Sequence, residues 1–143
     1  MAFQNPPPEK IRQLLEEAET IAVVGLSPDP RRPSHMVASA MQERGYRIIP
    51  VNPNAKQILG QTCYPSLRDV PERVDIVNVF RRSEHVMPIA LDAVNIQAKV
   101  FWLQQGIINE EAAETARKGG LEVIMDFCIK VADSVLRPQK ADK

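Results

Sequence analysis

Neither sign of charge prevails in this chain. Its 143 residues carry 18 Lys plus Arg against 18 Asp plus Glu, a formal net charge of zero. That excludes a broad nucleic-acid surface, which needs a basic excess to displace counterions from phosphates, but it leaves room for a local basic site. Cysteine is scarce: Cys63 and Cys128 can pair only once, and nothing else points to secretion. Two reduced thiols in a cytoplasmic protein are expected. The first residues lack a basic segment followed by an apolar one, so no signal peptide is expected. No apolar run approaches the roughly 20 residues that span a bilayer, so no membrane partner is expected. Glycine is missing where a dinucleotide fingerprint would need it. In the turn Gly25-Leu26-Ser27-Pro28-Asp29-Pro30 only the first glycine of G-x-G-x-x-G is present. The turn also lacks the Gly-Lys-Ser/Thr ending of a Walker A loop, which argues against ATP hydrolysis.

What is present centres on Ile21 to His35, IAVVGLSPDPRRPSH. Ile21-Ala22-Val23-Val24 is too short for a helix and β-branched enough for a buried strand. Gly25 ends it, and Pro28, Pro30 and Pro33 hold off a helix until about Ser34. Strand, turn and helix together offer backbone N–H groups to an anion. Before this stretch, Pro6-Pro7-Pro8 reads as an extended lead-in, and Ile11, Leu14, Leu15 and Ala18 mark a helix ending near Glu19. After it, Met36, Val37, Ala40 and Met41 mark a second helix stopped by Gly45. Strands follow over 46–51, 75–80, 99–103 and 121–125. Pro50, with no ladder donor, weakens the far end of its strand or puts it at an edge. Residues 55–64 fit a short helix, a small strand or a loop, and 66–71 reads as one helical turn. Ser83 and Asn109 are the expected N-caps of two further helices, the second opening on Glu110 and Glu111 and closing at Gly119-Gly120. A short helix from Ile129 closes the pattern.

This alternation predicts an α/β, doubly wound, mostly parallel sheet of five or six strands with helices on both faces. A single domain over 9–136 is expected, with flexible termini at 1–8 and 137–143. Right-handed crossovers bring all strand C-termini to one edge, where ligands bind. The residues falling there are Gly25, Ser27, Arg31, Arg32 and Ser34, then Asn52 and Pro53, then Arg81 and Arg82, then Gln104 and Gly106, and finally Asp126 and Cys128. Two Arg-Arg pairs at one edge of a neutral chain favour phosphate binding. A charge-assisted hydrogen bond contributes about 1.5–3 kcal/mol against about 0.3–1 kcal/mol for a screened helix dipole, so the arginines would dominate. Asn52-Pro53 stands where a ribose-binding acid would be. That absence suits a phosphorylated ribose and leaves NADP or another nucleotide as an alternative ligand.

The motifs VVGLSPDPRRPSH, GYRIIPVNPN, ILGQTCYPSL, VDIVNVFRRSEHV, VFWLQQGIINEEA and MDFC, in this order and spacing, resemble the small stand-alone CoA-binding proteins of the YccU-like group. The resemblance covers about residues 11–131. It extends to the CoA-binding part of the succinyl-CoA synthetase α subunit and of ADP-forming acyl-CoA synthetases. It implies a Rossmann-like domain that holds coenzyme A or acyl-CoA over the first turn. By that resemblance Gly25 permits close backbone approach, and Ser27 and Ser34 donate to the pyrophosphate. Arg31 or Arg32 neutralises it, and Asn52 and Pro53 border the adenosine. Phe80, Arg81 and Arg82 line the next wall, and Gln104 and Gly106 the far one. Relatives often have Asp-Arg-Cys near the last strand, whereas here Phe127 separates Asp126 from Cys128; if that arginine touches the ligand, either Lys130 substitutes for it or the contact is missing. The expected function is binding without catalysis. The alternative is a subunit or enzyme of acyl-CoA thioester chemistry, with a protein partner from acyl-CoA metabolism.

Other chemistry-bearing residues read more plainly. Cys128 is expected to be an inert thiol rather than a nucleophile, because no basic partner is evident. Cys63 reads as structural and Trp102 as core. His35 either donates to a phosphate or rides the helix surface. His35 and His85, without an acidic pattern, form no recognisable metal site. No helper group can be assigned to Ser27 or Ser34 for a Ser-His-Asp arrangement.

Overall fold

The computed structural model describes residues 3–140. In chain order it runs α1 (Pro8–Glu17), β1 (Thr20–Val24), α2 (Pro33–Glu43), β2 (Arg47–Val51), β3 (Gln57–Ile58), β4 (Gln61–Thr62), β5 (Ile76–Val79), α3 (Met87–Asn95), β6 (Val100–Leu103), α4 (Glu110–Lys118), β7 (Glu122–Ile124) and α5 (Ile129–Leu136). Five strands form one parallel sheet in the order β2-β1-β5-β6-β7. This is the Rossmann-like α/β architecture that the strand–helix alternation predicts. Residues 55–64, left open above, hold the small antiparallel hairpin β3–β4, with Leu59 and Gly60 both at positive φ in its turn.

Side chains alternate across the strands, so each face of the sheet buries its own cluster. Ile21, Val23, Ile48, Ile76, Trp102 and Ile124 face α1, α2 and α5. Ala22, Val24, Ile49, Val77, Phe101 and Val123 face α3 and α4, which meet them largely through alanines: Ala90, Ala93, Ala112, Ala113 and Ala116. Trp102 is fully buried, as core, and its indole N–H donates to the Phe127 carbonyl at 2.7 Å. Pro50 lies on the edge strand β2, where a missing donor costs least. Among the described residues no helix is long and apolar enough to cross a membrane.

One local expectation is corrected. Ser83 does not cap α3. A 3-10 turn over Ser83–His85 precedes the helix, and the Ser83 hydroxyl accepts from Ile108 N–H at 3.1 Å instead. Pro88, in the first turn of α3, sets the true start. The described parts of the termini make hydrogen bonds to the body of the domain. Asn5 works like an added strand residue on the open edge of β7: its Nδ2 donates to Met125 O at 2.9 Å and its Oδ1 accepts from Met125 N–H at 2.8 Å. At the other end the Lys140 ammonium donates to the carbonyls of Leu15, Glu16 and Ala18, which end α1. Residues 1, 2 and 141–143 lie outside the described residues.

Asp133 anchors this end of the molecule. It is buried, and Arg44 reaches it with Nε at 2.6 Å and Nη2 at 3.2 Å. The guanidinium also donates to Pro138 O at 3.1 Å. Asp133→Ala leaves Arg44 without its counter-charge and is expected to lower unfolding stability by about 2 kcal/mol, below the roughly 3–5 kcal/mol of a fully buried broken pair because Arg44 is partly exposed. Urea denaturation checks this.

Candidate functional site

The crevice of an open parallel sheet lies where the strand order changes direction. Here that point is between β1 and β5, because the chain leaves β1 for β2 on one side and returns to β5 on the other. Gly25 closes β1 at φ +88°. Its N–H donates to Val51 O at 2.9 Å, while Phe80 N–H donates to Val24 O at 2.8 Å, so the exits of β2, β1 and β5 are laced together. A Cβ on Gly25 would stand 2.3 Å from Phe80 O. The close approach that glycine permits is therefore first of all that of the protein's own backbone.

The turn after Gly25 is built by its own side chains. Ser34, buried in the first turn of α2, accepts the Ser27 N–H on its hydroxyl at 3.0 Å, and the Ser27 hydroxyl accepts the Asp29 N–H at 3.1 Å. His35 meets Ser27 O at 2.9 Å through Nδ1. A carbonyl only accepts, so Nδ1 carries the proton. Both serine oxygens are thus engaged as acceptors, which leaves their O–H protons available to an anion. No side chain caps α2, and Pro33 occupies its first turn.

Against this turn lies a cleft of about 390 Å³ lined by Gly25, Ser27, Arg32, Pro33, Ser34, Phe80, Arg81, Arg82 and Ile107. Arg81 also borders a smaller recess of about 170 Å³, whose walls include Val24, Val51, Pro53 and Leu67. Among the described residues no acid lines the larger cleft. Arg12, Arg31, Arg44, Arg47, Arg68 and Arg73 each pair with a carboxylate. Among the described residues Arg32, Arg81, Arg82, Arg117 and Arg137 have none, and the first three line this cleft. Three uncompensated guanidiniums around one concavity repel one another, a cost that a bound polyanion removes.

Larger concavities exist elsewhere. One of about 510 Å³ lies beside Pro6, Lys10 and Gly120, and one of about 470 Å³ beside Arg44 and Pro138. Lys10 is paired with Glu122, and Arg44 with Asp133; each of these concavities is also lined by one arginine without a carboxylate partner among the described residues, Arg117 or Arg137, and by an acid, Glu122 or Asp133. Size favours them; three unpaired arginines and no acid, against one unpaired arginine beside an acid, favour the cleft at the switch point, and charge is the better guide to an anion site.

Several expected residues stand apart. Arg31 turns outward, 88% exposed, onto Asp29. Asn52 is spent on the turn: its Nδ2 donates to Leu26 O at 2.9 Å and its Oδ1 accepts from Asn54 N–H at 2.8 Å. Pro53 borders the smaller recess. Gln104 is buried, its Oε1 accepting from Asn78 Nδ2 and from Ile129 N–H at the start of α5. That environment makes it a brace, so it does not wall the cleft. Gly106 lies beyond the cleft with φ +85°, its N–H donating to Asp126 Oδ1 at 2.7 Å. Sequence reasoning missed Ile107, the apolar residue that follows Gly106 and reaches the cleft.

Phe127 packs on the core beside Trp102, with ring centroids 6.2 Å apart. Cys128 is half-buried at the head of α5. Cys63 is buried, its Sγ 3.4 Å from Asn52 O, and burial pushes its thiol pKa up, away from reactivity. Among the described residues no group of three or more His, Cys, Asp or Glu could hold a metal.

Comparison with known proteins agrees with this architecture. A family model described as "CoA binding domain" matches residues 19–134. The chain is 49% identical over 135 residues to the uncharacterized protein YneT of Bacillus subtilis, covering 94% of this chain and all of that one. It is 25% identical over 122 residues to acetate–CoA ligase [ADP-forming] I of Archaeoglobus fulgidus, covering 78% of this chain and 18% of the ligase. Among solved structures, a hypothetical protein from Pyrococcus horikoshii superposes with a TM-score of 0.89 at 33% identity, over 96% of this chain and 99% of that one.

Proposed function

The chain belongs to the CoA-binding domain family, and from that premise we propose that it binds coenzyme A or an acyl-CoA in the cleft at the β1/β5 switch point, as a carrier, sensor or buffer without chemistry of its own. The observation that carries this reading is the set of guanidiniums of Arg32, Arg81 and Arg82, none with a counter-ion among the described residues, gathered around one acid-free cleft. Ser27 and Ser34 would turn their O–H protons toward the pyrophosphate, with Arg32 neutralising it from the α2 side. The adenine would enter the smaller apolar recess beside Pro53, with Asn52 fixing that border through the turn. Arg81, common to both concavities, and its neighbour Arg82 would take the phosphate on the ribose. Phe80 would cover the ligand's apolar side.

The ADP-forming acetate–CoA ligases, of which this chain matches only a part, support a second reading: a CoA-holding component that works with a protein partner. NADP is the third candidate, favoured only by the absence of an acid after β2.

Calorimetric titration with CoA, dephospho-CoA, NADP and ATP separates these. CoA is expected to bind tightest and dephospho-CoA more weakly. Heat from NADP with none from CoA would overturn the coenzyme A reading.

A further inference from the structure

Asp29 is the only acid in the turn from Gly25 to His35. It lies between two residues of the cleft, Ser27 and Arg32, and its backbone is part of the turn: its N–H goes to the Ser27 hydroxyl, and its carbonyl accepts the Arg32 N–H at 3.0 Å. A carboxylate so close to a polyanion site opposes binding. Arg31 meets it three times. The Arg31 backbone N–H donates to Oδ1 at 2.9 Å, its Nε to Oδ1 at 3.1 Å and its Nη2 to Oδ2 at 3.0 Å. These contacts, first the guanidinium and then the backbone N–H, hold the Asp29 carboxyl below the usual carboxylate range, with Arg32 and His35 adding to the effect.

On the reading that the cleft binds the coenzyme's phosphates, we propose that Arg31 is a positioning residue that neutralises Asp29, and that it is not itself a phosphate ligand. The side chains of the adjacent arginines then divide the work: Arg32 faces the anion, while Arg31 cancels the one charge that would repel it. The pair also shapes the loop, since Asp29 Oδ1 bonding to the N–H two residues on is an Asx turn.

The test is a double-mutant cycle read by calorimetry with CoA and, separately, inorganic pyrophosphate. Arg31→Ala is expected to weaken either ligand about threefold to fivefold, because it uncovers the Asp29 charge. Asp29→Asn with Arg31→Ala is expected to return affinity to within about twofold of wild type. In Arg31→Ala the Asp29 carboxyl should titrate upward, toward its ordinary value, by NMR. If the double variant stays as weak as Arg31→Ala, Arg31 touches the phosphate and the proposal fails. It fails equally if Arg31→Ala binds as well as wild type. Pyrophosphate binding without CoA binding would sink the coenzyme reading and leave this one to be judged on pyrophosphate alone. Silence from both ligands would remove the anion site and this proposal with it.

Discussion

Arg81→Ala with Arg82→Ala is expected to weaken CoA binding roughly a hundredfold, and dephospho-CoA binding only about tenfold. Each charge-assisted contact is worth about 1.5–3 kcal/mol, and the two are not fully additive because they share a ligand. The asymmetry arises because Arg81 borders both concavities, at the junction where a ribose phosphate would sit. Neither side chain has a carboxylate partner among the described residues, so removing them leaves no orphaned acid behind. The fold should keep its thermal midpoint within a few degrees, which separates lost binding from lost structure. Equal losses for the two ligands would move the ribose phosphate elsewhere. Unchanged affinity for both would remove these arginines from the site.

Gly25→Ala is expected to cost about 2–4 kcal/mol of folding stability and to abolish binding at ordinary ligand concentrations. Two costs combine. The backbone sits at φ +88°, where an L side chain is strained by about 1 kcal/mol or more. The new methyl would also press on Phe80 O at 2.3 Å and Phe80 C at 3.1 Å, forcing the β1 and β5 exits apart. Gly60→Ala is the natural control. It shares the positive φ, at +73°, but nothing lies within 4 Å of its added Cβ, so it should cost only about 1 kcal/mol and leave binding intact. Urea unfolding of both variants measures the difference. A Gly25→Ala loss no larger than that of Gly60→Ala would mean that the exits relax freely, and the tight lacing described here would be wrong.

The order of elements and the gathering of strand exits beside the candidate cleft were legible because they depend on local pattern. The β-branched run Ile21–Val24, the glycine after it and the prolines that delay α2 are short-range signals, and parallel topology then brings every strand exit to one edge. What the residues alone did not reveal depends on contacts distant in sequence, or on which of two equal neighbours finds a partner. Arg31 and Arg32 are indistinguishable as letters. They diverge because Arg31 is two residues past Asp29, within reach of an Asx turn, whereas Arg32 has turned into the start of α2. Gln104 falls at the expected edge, yet its amide is drawn into the interior by Asn78 and by the head of α5, 25 residues on. The pinning of Asn5 to Met125 spans 120 residues, and no periodicity predicts it. Ile107 could have been found by asking which apolar residue follows the turn glycine Gly106 at the ligand edge.

The central claim is one of location: the coenzyme's phosphates lie on the turn after β1 and against the exit of β5. Amide hydrogen exchange with and without saturating CoA tests this most directly. The account predicts slowed exchange at 25–36 and 80–86, and none beyond scatter around 117–123 or 137–140. Protection confined to those latter segments, beside the larger concavities that hold Glu122 and Asp133, would contradict it.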